Sequence, residues 1–258
     1  MARRIVGNIA IGLFDAVVRP DRFVEATGVR TVESWLELVR EFRELVAVYV
    51  VNLLLYAIPL TLAGFGRSQV PSVPEAVLQA GIGDEVWTFT YGLIQNSLFI
   101  SVAAGLTLVA FHIAVSITRQ SNGVLPSAYS VVYSTSAYLA GVFTAVWYLS
   151  TAAGLEAARR LVIDLQKTYI YAVIDLFSAD VGLPGGRPGE LGVGALSPAG
   201  TTVLSVLLVL AAYFLYSLYL AARINHGTGR INAALVVAAI VATPALYVVG
   251  SVLITTTS

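Results

Sequence analysis

A chain of 258 residues that is 57% hydrophobic and 12% charged, with a mean hydropathy of +0.82, has more apolar surface than a water-facing fold can bury, so lipid must solvate most of it. A formal charge of zero excludes the strongly basic face that nucleic-acid binding needs, and no nucleic-acid partner is expected. With no cysteine, disulfides, thiolate chemistry, Cys-ligated zinc and iron–sulfur clusters are excluded as well.

The first 44 residues read as a cytoplasmic amphipathic segment. Ile5, Val6, Ile9, Leu13, Phe14, Val17 and Val18 make one apolar helical stripe behind Arg3 and Arg4. A signal peptide fits poorly, because Asp15 interrupts the apolar run and Arg19-Pro-Asp-Arg22 stands where small cleavage-site residues belong. Over 31–44, Trp35, Leu36, Leu38, Val39 and Phe42 fall on one side of a helix. Glu33, Glu37, Glu41, Arg40 and Glu44 fall on the other, read as a solvated face.

Residues 45–258 read as an all-α transmembrane bundle of five spans, about 45–65, 91–118, 128–153, 202–222 and 231–254, each near the ~20 apolar residues that cross a bilayer. Asn52 and Pro59 interrupt the first span, the proline with an expected kink. Residues 66–90 read as a connector ending in Asp84, Glu85, Trp87 and Tyr91. Gln95 and Asn96 open the second span and His112 lies near its end. The third span begins with a hydroxyl-rich run that includes Tyr129 and Tyr133. Residues 155–199 form an amphipathic insertion, too charged to span, followed by a Gly/Pro-rich loop. Its stripe is predicted to hold Leu165, Tyr169, Ala172, Val173 and Leu176. No carboxylate is expected inside a span.

The turn Arg223-Ile-Asn-His-Gly-Thr-Gly-Arg230 joins the last two spans. Placing it with the 119–126 connector and the N-terminal segment puts ten of the fifteen Arg and Lys residues on one side. The positive-inside rule then sets the N-terminus in the cytoplasm of a cell membrane and the C-terminus outside.

Two sets of residues are candidates for function. Arg223, His226 and Arg230 suit an anionic lipid or a protein partner, with His226 expected in solvent or among headgroups. Asn52, Gln95, Asn96, His112, Tyr129 and Tyr133 could line a polar cavity between spans one to three, although bundle-internal hydrogen bonds explain them more simply. No catalytic, cofactor-binding or metal-binding residue is identified. The glycines of 182–194 lack phosphate-loop spacing, and Asp164 and Asp175 punctuate a charge-balanced helix. No cofactor is expected.

Three stretches carry a family resemblance: residues 12–23 (GLFDAVVRPDRF), 127–139 (SAYSVVYSTSAYL) and 216–234, with its YLAARINHGTGRINAA turn. In this order they resemble the approach to the first span, the polar aromatic lead into the third, and the turn between the fourth and fifth spans of Yip1-domain membrane proteins. The insertion at 155–199 is long for that family, and Ser136-Ala stands where a proline is often found. The resemblance implies a non-enzymatic multi-pass protein that organises membrane or binds a protein partner, or a second copy of itself. The competing expectation is a small permease or channel subunit that uses the polar residues of spans one to three.

Overall fold

In a computed structural model, the described residues are Phe14, 35–65, 70–79, 81, 83–136, 152–176, 178, 186–187 and 197–257. Side chains are described in part within 152–176 and as far as Thr243 in the last helix. The described residues form helices and turns, with no strand among them. The helices are α1 (Trp35–Leu62), α2 (Glu75–Gln79), α3 (Asp84–Ile117), α4 (Val124–Thr135), α5 (Ala152–Leu176), α6 (Pro198–Asn225) and α7 (Arg230–Thr257). The helix expected over Met1–Pro20, the second half of the third span and most of the Gly/Pro-rich loop lie outside the described residues.

Helices α1, α3 and α6 are long and apolar enough to cross a membrane, which makes this a membrane protein. Their lengths of 28, 34 and 28 residues correspond to about 42–51 Å at ~1.5 Å per residue. Large apolar side chains on them face outward, among them Leu98, Phe99, Val102, Leu106, Leu208 and Val209. Lipid tails solvate such residues as well as a protein core would. The inner faces are built differently. Val48, Phe111, Ala114, Val115, Val131, Leu218, Ala221, Ala222, Ala233 and Val236 form one buried cluster. Three of its alanines, Ala221, Ala222 and Ala233, let α6 and α7 approach closely.

The packing order follows from the short connections. α3 packs on α1 and α7; α4 packs on α1, α3 and α6; α6 packs on α7. The start of α1, the 118–123 connector and the 226–229 turn therefore lie at one end of the bundle, here called the connector end. At the other end, Trp87 Nε1–H donates to Pro71 O over 3.1 Å, which holds the chain at Pro71 against the first turn of α3.

Four sequence expectations are corrected. The amphipathic 31–44 segment and the first span are separate elements in the sequence reading, but 35–62 is a single helix with Pro59 inside it. The first turns of that helix do not divide into one apolar and one solvated face, although Glu37 and Arg40 are exposed as expected. Trp35 and Leu36 are 74% and 80% exposed, whereas Glu41, assigned to the solvated face, is 4% exposed inside the bundle. Glu41 turns inward because Tyr129 stands opposite to hydrogen-bond its carboxylate. The third correction concerns 84–90, a connector in the sequence reading, which is the helical start of α3. The fourth concerns the insertion. α5 packs against α7; Val173 of the expected stripe is buried, as are Tyr171 and Ile174, while Ala172 and Leu176 of that stripe are exposed.

Candidate functional site

The sequence pointed to polar residues in or near the spans, and the structure pairs most of them from helix to helix at three levels. Farthest from the connector end, Asn96 Nδ2 on α3 donates to Thr61 Oγ1 (2.8 Å) and to Phe65 O (3.0 Å), tying α3 to the end of α1. Near mid-bundle, Asn52 Nδ2 on α1 donates to Val132 O (3.0 Å) and Ser136 Oγ (3.0 Å) of the third-span segment. Ser136 Oγ also lies 3.1 Å from Asn52 Oδ1. Tyr56 bonds Thr135 O across the same helices, and Tyr49 bonds Ser101 of α3. Toward the connector end, Tyr129 O–H donates to Glu41 Oε2 (2.7 Å) and Glu41 O (2.9 Å). The Tyr129 ring stacks on Tyr133 with centroids 6.0 Å apart. Arg40 reaches Glu41 from outside at 3.5 Å. Gln95 is half-buried beside this series.

These residues do not converge on one cavity. Each sits at its own height and is held by a neighbouring helix. An unmatched amide in hydrocarbon is costly, so a polar group inside a span is retained where a partner stands opposite. The exception to the pairwise pattern is the connector end, where several polar groups meet.

There the two connections are closed onto each other. Asn122 Nδ2 donates to Asn225 O (2.6 Å), and the Asn122 backbone N–H donates to His226 Nδ1 (3.1 Å). Ser127 Oγ lies 3.2 Å from His226 Nε2 and 3.0 Å from His112 Nδ1. Ser127 also approaches Gly123 O at 3.2 Å, and Asn225 Nδ2 donates to Ser130 Oγ over 2.9 Å. One helical turn further into the bundle, Ser134 and Ser217 join α4 to α6 at 2.7 Å. Phe111 covers the His226 ring, with centroids 5.7 Å apart.

The backbone makes this closure possible. Gly123 (φ +107°) and Gly227 (φ +67°) take conformations that a side chain would strain, one on each side of the contact. Arg119 ends α3 at φ +58°, a left-handed position more easily filled by glycine.

His226 is therefore not where the sequence reading put it. It is 3% exposed and points into the bundle, while Arg223 and Arg230 on either side face outward. The three do not form one surface triad. Burial, and to a lesser extent the proximity of the second imidazole, His112, pushes the His226 pKa down to about 4. Two buried polar atoms of the same turn, Asn225 Oδ1 and Thr228 Oγ1, have no hydrogen-bond partner among the described residues.

Glu41, Asn122, Ser127, Asn225 and Thr228 were not candidates in the sequence reading. A signal for part of the set was present: Ser127, Ser130 and Ser134 recur at i, i+3 and i+7, which puts three hydroxyls on one face of α4. No family model matches the chain, and no curated protein or solved structure matches it.

Proposed function

We propose that this chain is a five-span, non-enzymatic integral membrane protein of the Yip1 type that binds an acidic partner protein through the basic connector end, with its N-terminus cytoplasmic and its C-terminus outside. One observation carries the reading: five exposed arginines gather at the connector end. Arg40 and Arg43 come from α1, Arg119 from the 118–123 connector, and Arg223 and Arg230 from the ends of α6 and α7. Arg43, Arg119, Arg223 and Arg230 pair with no described carboxylate. At the opposite end the described charges around the start of α3 are acidic: Glu75, Asp84 and Glu85. That asymmetry supports a cytoplasmic connector end by the positive-inside rule.

Further support for five spans comes from α7, a 28-residue helix whose described stretch Arg230–Thr243 is apolar. The apolar sequence that continues α4 through 137–153 supports the remaining span. The pairing of Asn52, Asn96, His112 and Tyr129 with neighbouring groups favours a scaffold over a permease, since a permease needs polar groups free to meet a solute.

The test is crosslinked affinity purification of the full-length protein from native membranes, beside an Arg119→Gln/Arg223→Gln/Arg230→Gln variant. A stoichiometric protein captured by the parent and lost from the variant is the expected result. Identical capture by both would end the reading. Retention of an anionic phospholipid in place of a protein would reassign the basic end to lipid.

A further inference from the structure

The chain has two histidines, one on α3 and one in the 226–229 turn, and a single hydroxyl stands between them. The backbone fixes the hydrogen-bond senses at His226. The backbone N–H of Asn122 can only donate, so His226 Nδ1, its acceptor, carries no proton. The His226 proton is then on Nε2 and is donated to Ser127 Oγ. The Ser127 hydroxyl proton is left to choose between His112 Nδ1 and Gly123 O. With His226 neutral, every donor of this set has an acceptor.

The two rings differ in how they could accept a further proton. A proton on His112 Nδ1 would be donated to Ser127 Oγ, whose own hydroxyl would turn to Gly123 O, and no bond in the set would be lost. A second proton on His226 can go only to Nδ1. There it faces the Asn122 N–H, two donors pointing at each other with no acceptor between them. The chain of bonds is therefore not a proton wire, since it ends at a backbone N–H that cannot pass a proton on. It is a catch.

We propose that His226 is the proton-operated catch of a clasp between the 118–123 connector and the 226–229 turn: neutral His226 holds the clasp shut, and a second proton on its ring breaks the Asn122 link and releases the turn.

The surroundings suit this role. α3 presents His112 and the Phe111 ring to the catch, and α4 presents the uncharged Ser127. The connector carries Arg119, and the turn itself lies between Arg223 and Arg230, all three outward and all positive. The buried carboxylate at this end, Glu41 on α1, is engaged by Tyr129 and Arg40, with Glu37 and Glu44 on the same helix. A proton arriving on His226 thus enters a positive neighbourhood. The closed clasp also leaves Asn225 Oδ1 and Thr228 Oγ1 buried without partners. Release lets both meet water, which narrows the gap between the closed and open states. Once open, the turn adds a third positive charge between Arg223 and Arg230.

Because the chain has no cysteine, a single Thr228→Cys reports the state of the clasp directly. Thr228 is buried and its hydroxyl makes no bond, so the substitution removes none. Maleimide labelling in nanodiscs would be normalised at each pH to Gly229→Cys, which is exposed, so that the changing thiolate fraction cancels. The expected ratio is low at about pH 7.5 and rises roughly tenfold by about pH 4 as His226 charges. In a Thr228→Cys/His226→Asn double variant, whose amide oxygen can still accept from Asn122 but takes no proton, the ratio stays low throughout. A flat ratio in the parent, or a rise that survives His226→Asn, overturns the proposal. An independent check needs no variant of the clasp. Imidazole 15N spectra of the unsubstituted protein contain two histidines, and His226 must appear as the Nε2–H tautomer at about pH 7.5. An Nδ1–H tautomer or a charged ring there would equally overturn it.

Discussion

The Asn52 contact and the connector-end clasp are both buried polar networks between helices, and they are built on opposite terms. At Asn52 both ends of the amide are matched: its N–H groups go to Val132 O and Ser136 Oγ, and its oxygen lies beside the Ser136 hydroxyl. No ionisable group takes part. At the clasp a histidine is central, two neighbouring polar atoms are unmatched, and two glycines hold left-handed backbone. The first arrangement has one good state and fixes the register of α1 against α4. The second has a closed state that carries its own penalty and so can be displaced. A membrane bundle of this kind combines a rigid middle with a conditional end, using the same few residue types.

The largest effect should come from breaking the matched network. Asn52→Ala leaves Ser136 and Val132 O facing a void. It should cost about 1–2 kcal/mol, near the upper end for interhelical hydrogen bonds in membranes, read as a lowered unfolding midpoint in mild detergent. A loss no greater than that of Asn225→Ala would erase the contrast between the two networks.

Next comes the pH dependence of the clasp. His226 is held near pKa 4 in the folded protein, against an ordinary value of 6.5, so the unfolded chain binds the extra proton first. The stability that neutral His226 contributes is complete above about pH 6.5 and is lost as the pH falls from there toward 4. Thermal unfolding between those limits should show this slope, and His226→Asn should flatten it. A slope unchanged in the variant would assign it to another group.

Asn225→Ala should cost less than Asn52→Ala, about 0.5–1 kcal/mol, because only the bond to Ser130 is lost and the unmatched oxygen goes with it. Thr228→Val should move the midpoint the other way or leave it unchanged. It exchanges a buried, unbonded hydroxyl for a methyl of the same shape. A clear destabilisation there would mean that the hydroxyl has a partner and that the closed clasp carries less penalty than argued.

The smallest effect belongs to Arg187→Ala. Arg187 makes a two-pronged bond to Asp175 and lies 4.8 Å over the Tyr171 ring, holding the Asp175 carboxyl below its usual range. Both partners of the ion pair are more than half exposed, so solvent screening should leave the unfolding midpoint indistinguishable from that of the parent.

The helices were legible from apolar run length alone. Thr202–Ala222 and 231–254 lie inside α6 and α7 to within a few residues, because nothing but a helix satisfies the backbone across that much uncharged sequence. The gathering of the two short connectors at one end was expected from their arginines, and the Asn122 bonds to Asn225 and His226 bring them together there. Side-chain direction was harder to read. Glu41 was put on the outer face with its charged neighbours; Glu37 and Arg40 do face out, and Glu41 alone turns in because its partner, Tyr129, lies about ninety positions away in sequence. His226 was read with its two arginines because the three are neighbours in sequence. A turn has no period from which facing can be inferred, and Gly227 at φ +67° turns the chain so that His226 goes in while the arginines stay out.

Composition and run length by themselves determined that this chain lives in a membrane as a helical bundle with a basic end, because both follow from hydrocarbon thickness and the need to satisfy every backbone polar group. Only the tertiary structure decided which polar residues meet. Ser127 between His112 and His226, and Asn122 against the turn, join residues about a hundred positions apart (|i−j| of 99 and 104). A hydrogen bond depends on a few tenths of an ångström and on which atom carries the proton, and neither is encoded in the local pattern of residues.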